Sequence, residues 1–189
     1  MTDPNARKLR TDAARNRDQV LATATALFTE HGDEVQMADV ARAAGVGVGT
    51  VYRHFPTRRA LIEAAAEQRF AGILEYVRRT CLPNPDTRQA LAGFLGHVAE
   101  VHEQGRVLSG TIESVLGDTE PRGTVRDDLA ELGAELLARG RADGSIRADA
   151  TVADLYMLVG AVATVSRDGF GDWRRFIELA LDGLRPPVQ

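Results

Sequence analysis

Val40–Phe55 reads VARAAGVGVGTVYRHF, and its reading decides the fold. Val40, Ala41 and Ala44 form one face of a short helix, and Gly45 stands where that helix must stop. Glycine takes the left-handed cap without a Cβ clash. Val46 follows and can plug the angle to a second short helix, on which Val51 and Phe55 recur at i, i+4. Small alanines let two such helices approach at a steep angle. This is the composition of a helix-turn-helix, an arrangement whose second helix fits a DNA major groove.

The outer face of the second helix carries Thr50, Tyr52, Arg53 and His54, all hydrogen-bonding side chains. Gly47 and Gly49 strip side chains from its first turn. Each glycine costs a helix roughly 1 kcal/mol against alanine. A close approach of the backbone to a partner is one reason to accept that cost.

GVGVGTVYRHF over Gly45–Phe55, followed by Pro56, Thr57, Arg58, Arg59, Ala60 and Leu61, closely resembles the DNA-binding domain of the TetR family of bacterial transcriptional regulators. The likeness runs back through Asp39–Val40–Ala41, Met37 and Val35 to Leu27–Phe28. Two positions depart from it. Gln36 stands where many members open the first motif helix with Ser, Thr or Pro, and Val48 stands where some carry a polar base reader. Apolar contact with thymine methyls is the readout open to a valine there. The resemblance implies an all-α chain of about nine helices: a three-helix DNA-binding domain, then a helical ligand-binding and dimerisation domain. It also implies a homodimer on a double-stranded operator of two-fold related half-sites, and a small-molecule effector.

Charge agrees with DNA contact at one end of the chain. The net charge is −4, yet residues 1–60 carry nine basic and seven acidic side chains, so the excess of acid lies in the remainder. Residues 1–11 show no apolar periodicity and carry Arg7, Lys8 and Arg10, which predicts a flexible basic arm. A first helix from Asp12 or Ala13 to His31 presents Val20, Leu21, Ala24, Leu27 and Phe28 as a core stripe. The DNA-binding domain is expected over 12–75, with its motif at 36–55. Arg58 and Arg59 open the next helix, where the dipole disfavours cations. A nearby phosphate relieves that repulsion, so Arg58 joins Thr50, Tyr52 and His54 as expected contacts to phosphate or groove wall. Val48, Gly49 and Arg53 are expected to face base edges, and Gln36 completes the DNA-binding set.

Pro83–Asn84–Pro85–Asp86 is a break, and everything after it is helical in pattern. Residues 76–189 form the expected second domain. Its segment Thr151–Arg167 is apolar nearly all round, and Trp173–Leu184 is apolar at Phe176, Ile177, Leu179, Ala180, Leu181 and Leu184. A monomer of this size rarely buries two such helices alone, which suits a four-helix interface with a second copy. Candidate ligand-binding residues are Phe94, His97, Val98, Leu108, Ile112, Leu116, Leu136 and Met157, apolar positions with an occasional polar group.

Catalytic and metal patterns are missing from the sequence. His97 and His102 are five apart, which puts them on different helix faces. Ser109 and Ser114 lack a G-x-S-x-G context, and the glycines at 45, 47 and 49 do not make G-x-G-x-x-G. One cysteine, Cys81, excludes a disulfide framework. No cofactor is expected, and the chain is read as a regulator rather than an enzyme. The apolar run Leu155–Val165 falls far short of the roughly 20 residues that span a bilayer. The polar, charged N-terminus predicts no signal peptide, and a cytoplasmic location is expected. An all-helical enzyme or a partner-binding module retaining the motif as a relic is the alternative reading.

Overall fold

The computed structural model describes residues 4–187, with side chains described from Ala14 onward. The described residues hold nine α-helices and no strand: α1 Pro4–His31, α2 Met37–Ala44, α3 Val48–His54, α4 Arg58–Tyr76, α5 Thr87–Gln104, α6 Arg106–Leu116, α7 Gly123–Ala142, α8 Val152–Asp168 and α9 Trp173–Gly183. A 3₁₀ turn, Gly32–Glu34, follows α1, and a π-helical turn, Val77–Cys81, extends α4. No described helix is long and apolar enough to cross a membrane.

Helix α1 starts at Pro4 rather than at Asp12 or Ala13, so most of the expected basic arm is helical backbone. Proline suits a first helical turn, and the Ala, Arg, Lys and Leu that follow are good helix formers with no breaker among them. Met1–Asp3 lie outside the described residues.

Contacts divide the chain into two units. The first comprises residues 1–68 with 107–119, and the second 69–106 with 120–189. The division differs from a single boundary at 75/76, because nearly all of α6 packs with the N-terminal helices. In the first unit Val20, Ala24 and Phe28 of α1 are buried with Val40 and Ala41 of α2, Val51 of α3, and Leu61, Ile62 and Ala65 of α4. Thr57 caps α4, its hydroxyl accepting from the Ala60 amide at 3.0 Å.

In the second unit α5 is central, packing on α7, α8 and α9. Asp86 starts it by accepting from the Gln89 amide at 2.9 Å. Leu91, Leu95, Ala99, Leu136, Leu137 and Val162 are buried there. Two glycines of α7 set the spacing. A Cβ on Gly133 would lie 2.9 Å from Leu155 Cδ2, and one on Gly140 would strike Ile146 Cγ1 and sit 3.0 Å from Thr87 Cγ2. A polar knot fastens the same corner. Buried Thr87 donates to Asp143 at 2.7 Å and accepts from Arg139 Nε at 3.1 Å. Arg139 Nη1 donates to the Leu82 carbonyl at 2.8 Å.

Alanine at Gly140 should improve helix propensity yet cost about 1–3 kcal/mol, because overpacking outweighs it. Urea unfolding should show a smaller penalty for Gly140→Ala when Ile146→Ala is present; strictly additive penalties would deny the contact. His102 generates a second expectation. Burial, with the Arg69 and Arg167 guanidiniums nearby, pushes its imidazole down to about 3. The folded chain keeps it neutral, whereas the unfolded chain takes up a proton near its ordinary value of about 6.5. Stability is therefore unaffected above that value and falls as pH drops below it, by at most about 1.4 kcal/mol per pH unit. Comparing urea midpoints between about pH 7 and about pH 5, His102→Leu should have the flatter profile. Parallel profiles would show that the imidazole is not held neutral.

Candidate nucleic-acid interface

The motif is assembled from backbone constraints first. Gly45 closes α2 at φ 68°, its amide donating to the Arg42 carbonyl at 3.3 Å, and the Val46 amide reaches back to the Ala41 carbonyl at 3.0 Å. Gln19 of α1 adds a third tie, its Nε2 donating to the Ala44 carbonyl at 3.0 Å. Three of the last four carbonyls of α2, those of Ala41, Arg42 and Ala44, are thus satisfied and the entry to α3 is fixed. Val51 and Phe55 are buried, anchoring α3 by one face. The guanidinium of Arg17 lies 5.1 Å from the Phe55 ring centroid, covering that anchor from outside.

With that face buried, α3 presents the opposite one. Val48 is 47% exposed and Tyr52 48%, and Gly49 and Arg53 are exposed between them. These four follow i, i+1, i+4, i+5 spacing and form one stripe. Thr50 and His54 flank it, half-buried, with the His54 ring tilted against Phe55. Among the described residues neither the Tyr52 nor the Arg53 side chain has a hydrogen bond or ion pair. Gly47 and Gly49 have negative or ordinary φ, and a Cβ on either would meet nothing within 4 Å. The fold therefore does not require these two glycines.

Two expected contacts are placed differently. Arg58 turns inward. Its Nε donates to the Val35 carbonyl at 3.1 Å, its Nη2 to the Asp33 carbonyl at 3.1 Å and to Asp33 Oδ1 at 3.3 Å, and its guanidinium stacks 5.5 Å from the Phe28 ring centroid. Those acceptors relieve the charge at the helix start that the sequence assigned to a phosphate. Gln36 is exposed at the N-cap of α2, where its amide donates to Asp39 Oδ2 at 3.0 Å and its side chain to the Glu34 carbonyl at 3.4 Å. Gln19 and Arg17, absent from the sequence-based set, support the motif from α1. A polar residue immediately before the first core position of α1, Val20, was the only signal for Gln19.

The eight ligand candidates are distributed over both units. Leu108, Ile112 and Leu116 belong to the first unit, and Phe94, His97, Val98, Leu136 and Met157 to the second. Phe94, Val98, Leu108, Ile112 and Leu136 are buried. Leu116 and His97 are half-buried, and the His97 ring stacks on Tyr76 at 3.8 Å between centroids. Burial lowers the His97 pKa, against an upward pull from Glu100. Met157 is 66% exposed and lines an open cleft of about 510 Å³ with Leu158, Ala180 and Leu184. It lies on the outer stripe of α8 with Ala153, Gly160 and Thr164, a stripe that apolar content all round the helix concealed.

Comparison with known proteins agrees with this geometry. Residues 20–65 match the family described as bacterial regulatory proteins, tetR family. Residues 86–186 match the C-terminal domain of SbtR-like transcriptional regulators. A TetR transcriptional regulator from Streptomyces coelicolor, solved as a crystal structure, is 33% identical, with 91% of this chain and 99% of that chain covered at a TM-score of 0.67. The HTH-type transcriptional repressor KstR of Mycolicibacterium smegmatis is 29% identical over 141 residues, 72% of this chain and 69% of that protein. An HTH-type transcriptional regulator of Staphylococcus aureus is 39% identical over 70 residues, and this match spans only 36% of its length. With both of its halves matched by family models and a relative at this identity covered almost end to end, the chain belongs to the TetR family of bacterial transcriptional regulators.

Proposed function

We propose that this chain is a homodimeric, cytoplasmic repressor. In this reading it holds two-fold related operator half-sites with α3 of each copy and leaves them when a small molecule binds the C-terminal unit. The observation that carries the DNA-binding part is the outward stripe of α3. A guanidinium and a phenol without internal partners stand beside two glycines that the fold does not need. Arg53 has the chemistry to read guanine by two hydrogen bonds, and Val48 to contact a thymine methyl. Tyr52, Thr50 and His54 carry phenol, hydroxyl and imidazole groups whose chemistry suits the groove wall and phosphates.

The outer stripe of α8 supports the dimer. Met157 is exposed, and a Cβ on Gly160 would meet nothing within 4 Å. Leu179 on α9 is 55% exposed. Small and apolar residues on exposed helix faces suit close packing against a second copy. The repressor sign follows the naming of KstR as a repressor. Ligand response is a matter of differential affinity. A molecule that fits one spacing of the two α3 helices better than the other shifts the operator equilibrium by that difference.

Selection from a random duplex pool at near-physiological salt tests the reading. The expected product is a two-fold related motif with half-site centres about 34–36 Å apart, or a multiple. Binding should weaken steeply with salt as phosphate contacts release counterions. A folded, dimeric protein that selects no motif would end the operator-binding reading. Gly49→Ala separates stability from function. It should raise thermal stability by up to about 1 kcal/mol while weakening binding to the selected duplex. Unchanged affinity would mean that the duplex does not approach the backbone at Gly49.

A further inference from the structure

One carboxylate in the first unit joins two elements that are far apart in sequence. Asp33 Oδ2 accepts from the Ser114 hydroxyl of α6 at 3.1 Å, and Oδ1 accepts from Arg58 Nη2 at 3.3 Å. Arg58 is the first residue of α4, three positions beyond Phe55, which closes α3. Close packing surrounds this node. Gly32 has φ 57°, and a Cβ there would lie 2.9 Å from Val107 Cγ1 and 3.4 Å from Thr111 Oγ1 of α6. Arg59 Nη1 donates to the Val115 carbonyl at 2.6 Å. Helix α6 is therefore fastened both to the turn after α1 and to the first turn of α4.

We propose that Asp33 is a positioning residue for DNA recognition. Its carboxylate ties the seating of α6 to the placement of the first turn of α4, and through Phe55 to the orientation of α3. The arginine side of the node is firm, because Arg58 is held by three oxygens and an aromatic face and its side chain is only 28% exposed. The serine side is a single hydrogen bond to a carboxylate that is 56% exposed. Such a bond is weak enough to break and remake without unfolding the unit. The chain enters α6 at Arg106, which belongs to the second unit, while Val107 onward belongs to the first.

The affinity arm of the test rests on the DNA-binding reading; the exchange arm does not. Ser114→Ala should weaken binding to the selected duplex about 2- to 10-fold, the range of one hydrogen bond, with an unchanged salt slope. Ser114→Thr, which keeps the hydroxyl, should restore wild-type affinity. In an Asp33→Ala background Ser114→Ala should add almost nothing, because both act through the same carboxylate. In the free protein, hydrogen exchange in Ser114→Ala should quicken by about threefold or more at amides of α3 and of the turn at Gly32–Glu34. Independent, multiplying effects of the two substitutions would overturn the proposal. So would faster exchange confined to α6. If no duplex is ever selected, the DNA-binding reading fails by itself, and the exchange result still decides whether Asp33 couples α6 to α3.

Discussion

A helix of seven residues does not hold together alone in water, because its nucleation cost is spread over too few hydrogen bonds. Helix α3 has seven residues and spends one of them on glycine. Most of the first unit can be read as the answer to that constraint. Val51 and Phe55 fix one face of α3 in the core, Gly45 and Val46 fix its entry, and Pro56 and Thr57 fix its exit into α4. Only after those ties are made can the opposite face be left to polar and glycine residues chosen for something other than stability.

The arginines of the same unit divide along this line. Arg58 has its charge satisfied internally by carbonyls, a carboxylate and an aromatic ring. Arg59 pairs with Glu63 and holds the end of α6. Arg17 covers Phe55. Arg53 is the exposed one on α3 without an internal partner. A guanidinium already surrounded by acceptors gains little from a phosphate, because it would exchange one set of bonds for another. An unpaired one on an exposed helix gains in full, so a regional excess of basic residues overstates the number that can serve DNA.

The α2–α3 motif was legible because its signals are local. A glycine cap, an i, i+4 apolar pair and small residues at the crossing each act within a turn or two of the chain. The core stripe of α1 and the break at Pro83–Asp86 were legible for the same reason. The inward turn of Arg58 was not, because its acceptors lie at Asp33 and Val35, about six helical turns of sequence away. Nor was the membership of α6 in the first unit, which depends on Gly32, Asp33 and Arg59 meeting Val107, Ser114 and Val115. The π-helical turn at Val77–Cys81 has no composition that marks it. The spread of the ligand candidates over both units has a related reason. Apolar periodicity identifies a buried face but not which neighbour covers it.

Helix α8 shows how that ambiguity resolves. Its sequence is apolar on every side, so periodicity alone cannot separate the face that packs on α5 from the one that does not. The burial pattern separates them. Leu155, Val162 and Ser166 are buried, whereas Ala153, Met157, Gly160 and Thr164 lie outside. Leu155 and Val162 put branched side chains on the buried face, with Leu155 filling the space that Gly133 leaves. The outer face uses mainly small residues, which fill little volume but allow a helix axis to come near. Two faces of one helix, equally apolar, thus differ in the kind of neighbour each accepts: a fixed core on one side, and on the other a surface able to approach closely, as the proposed second copy would.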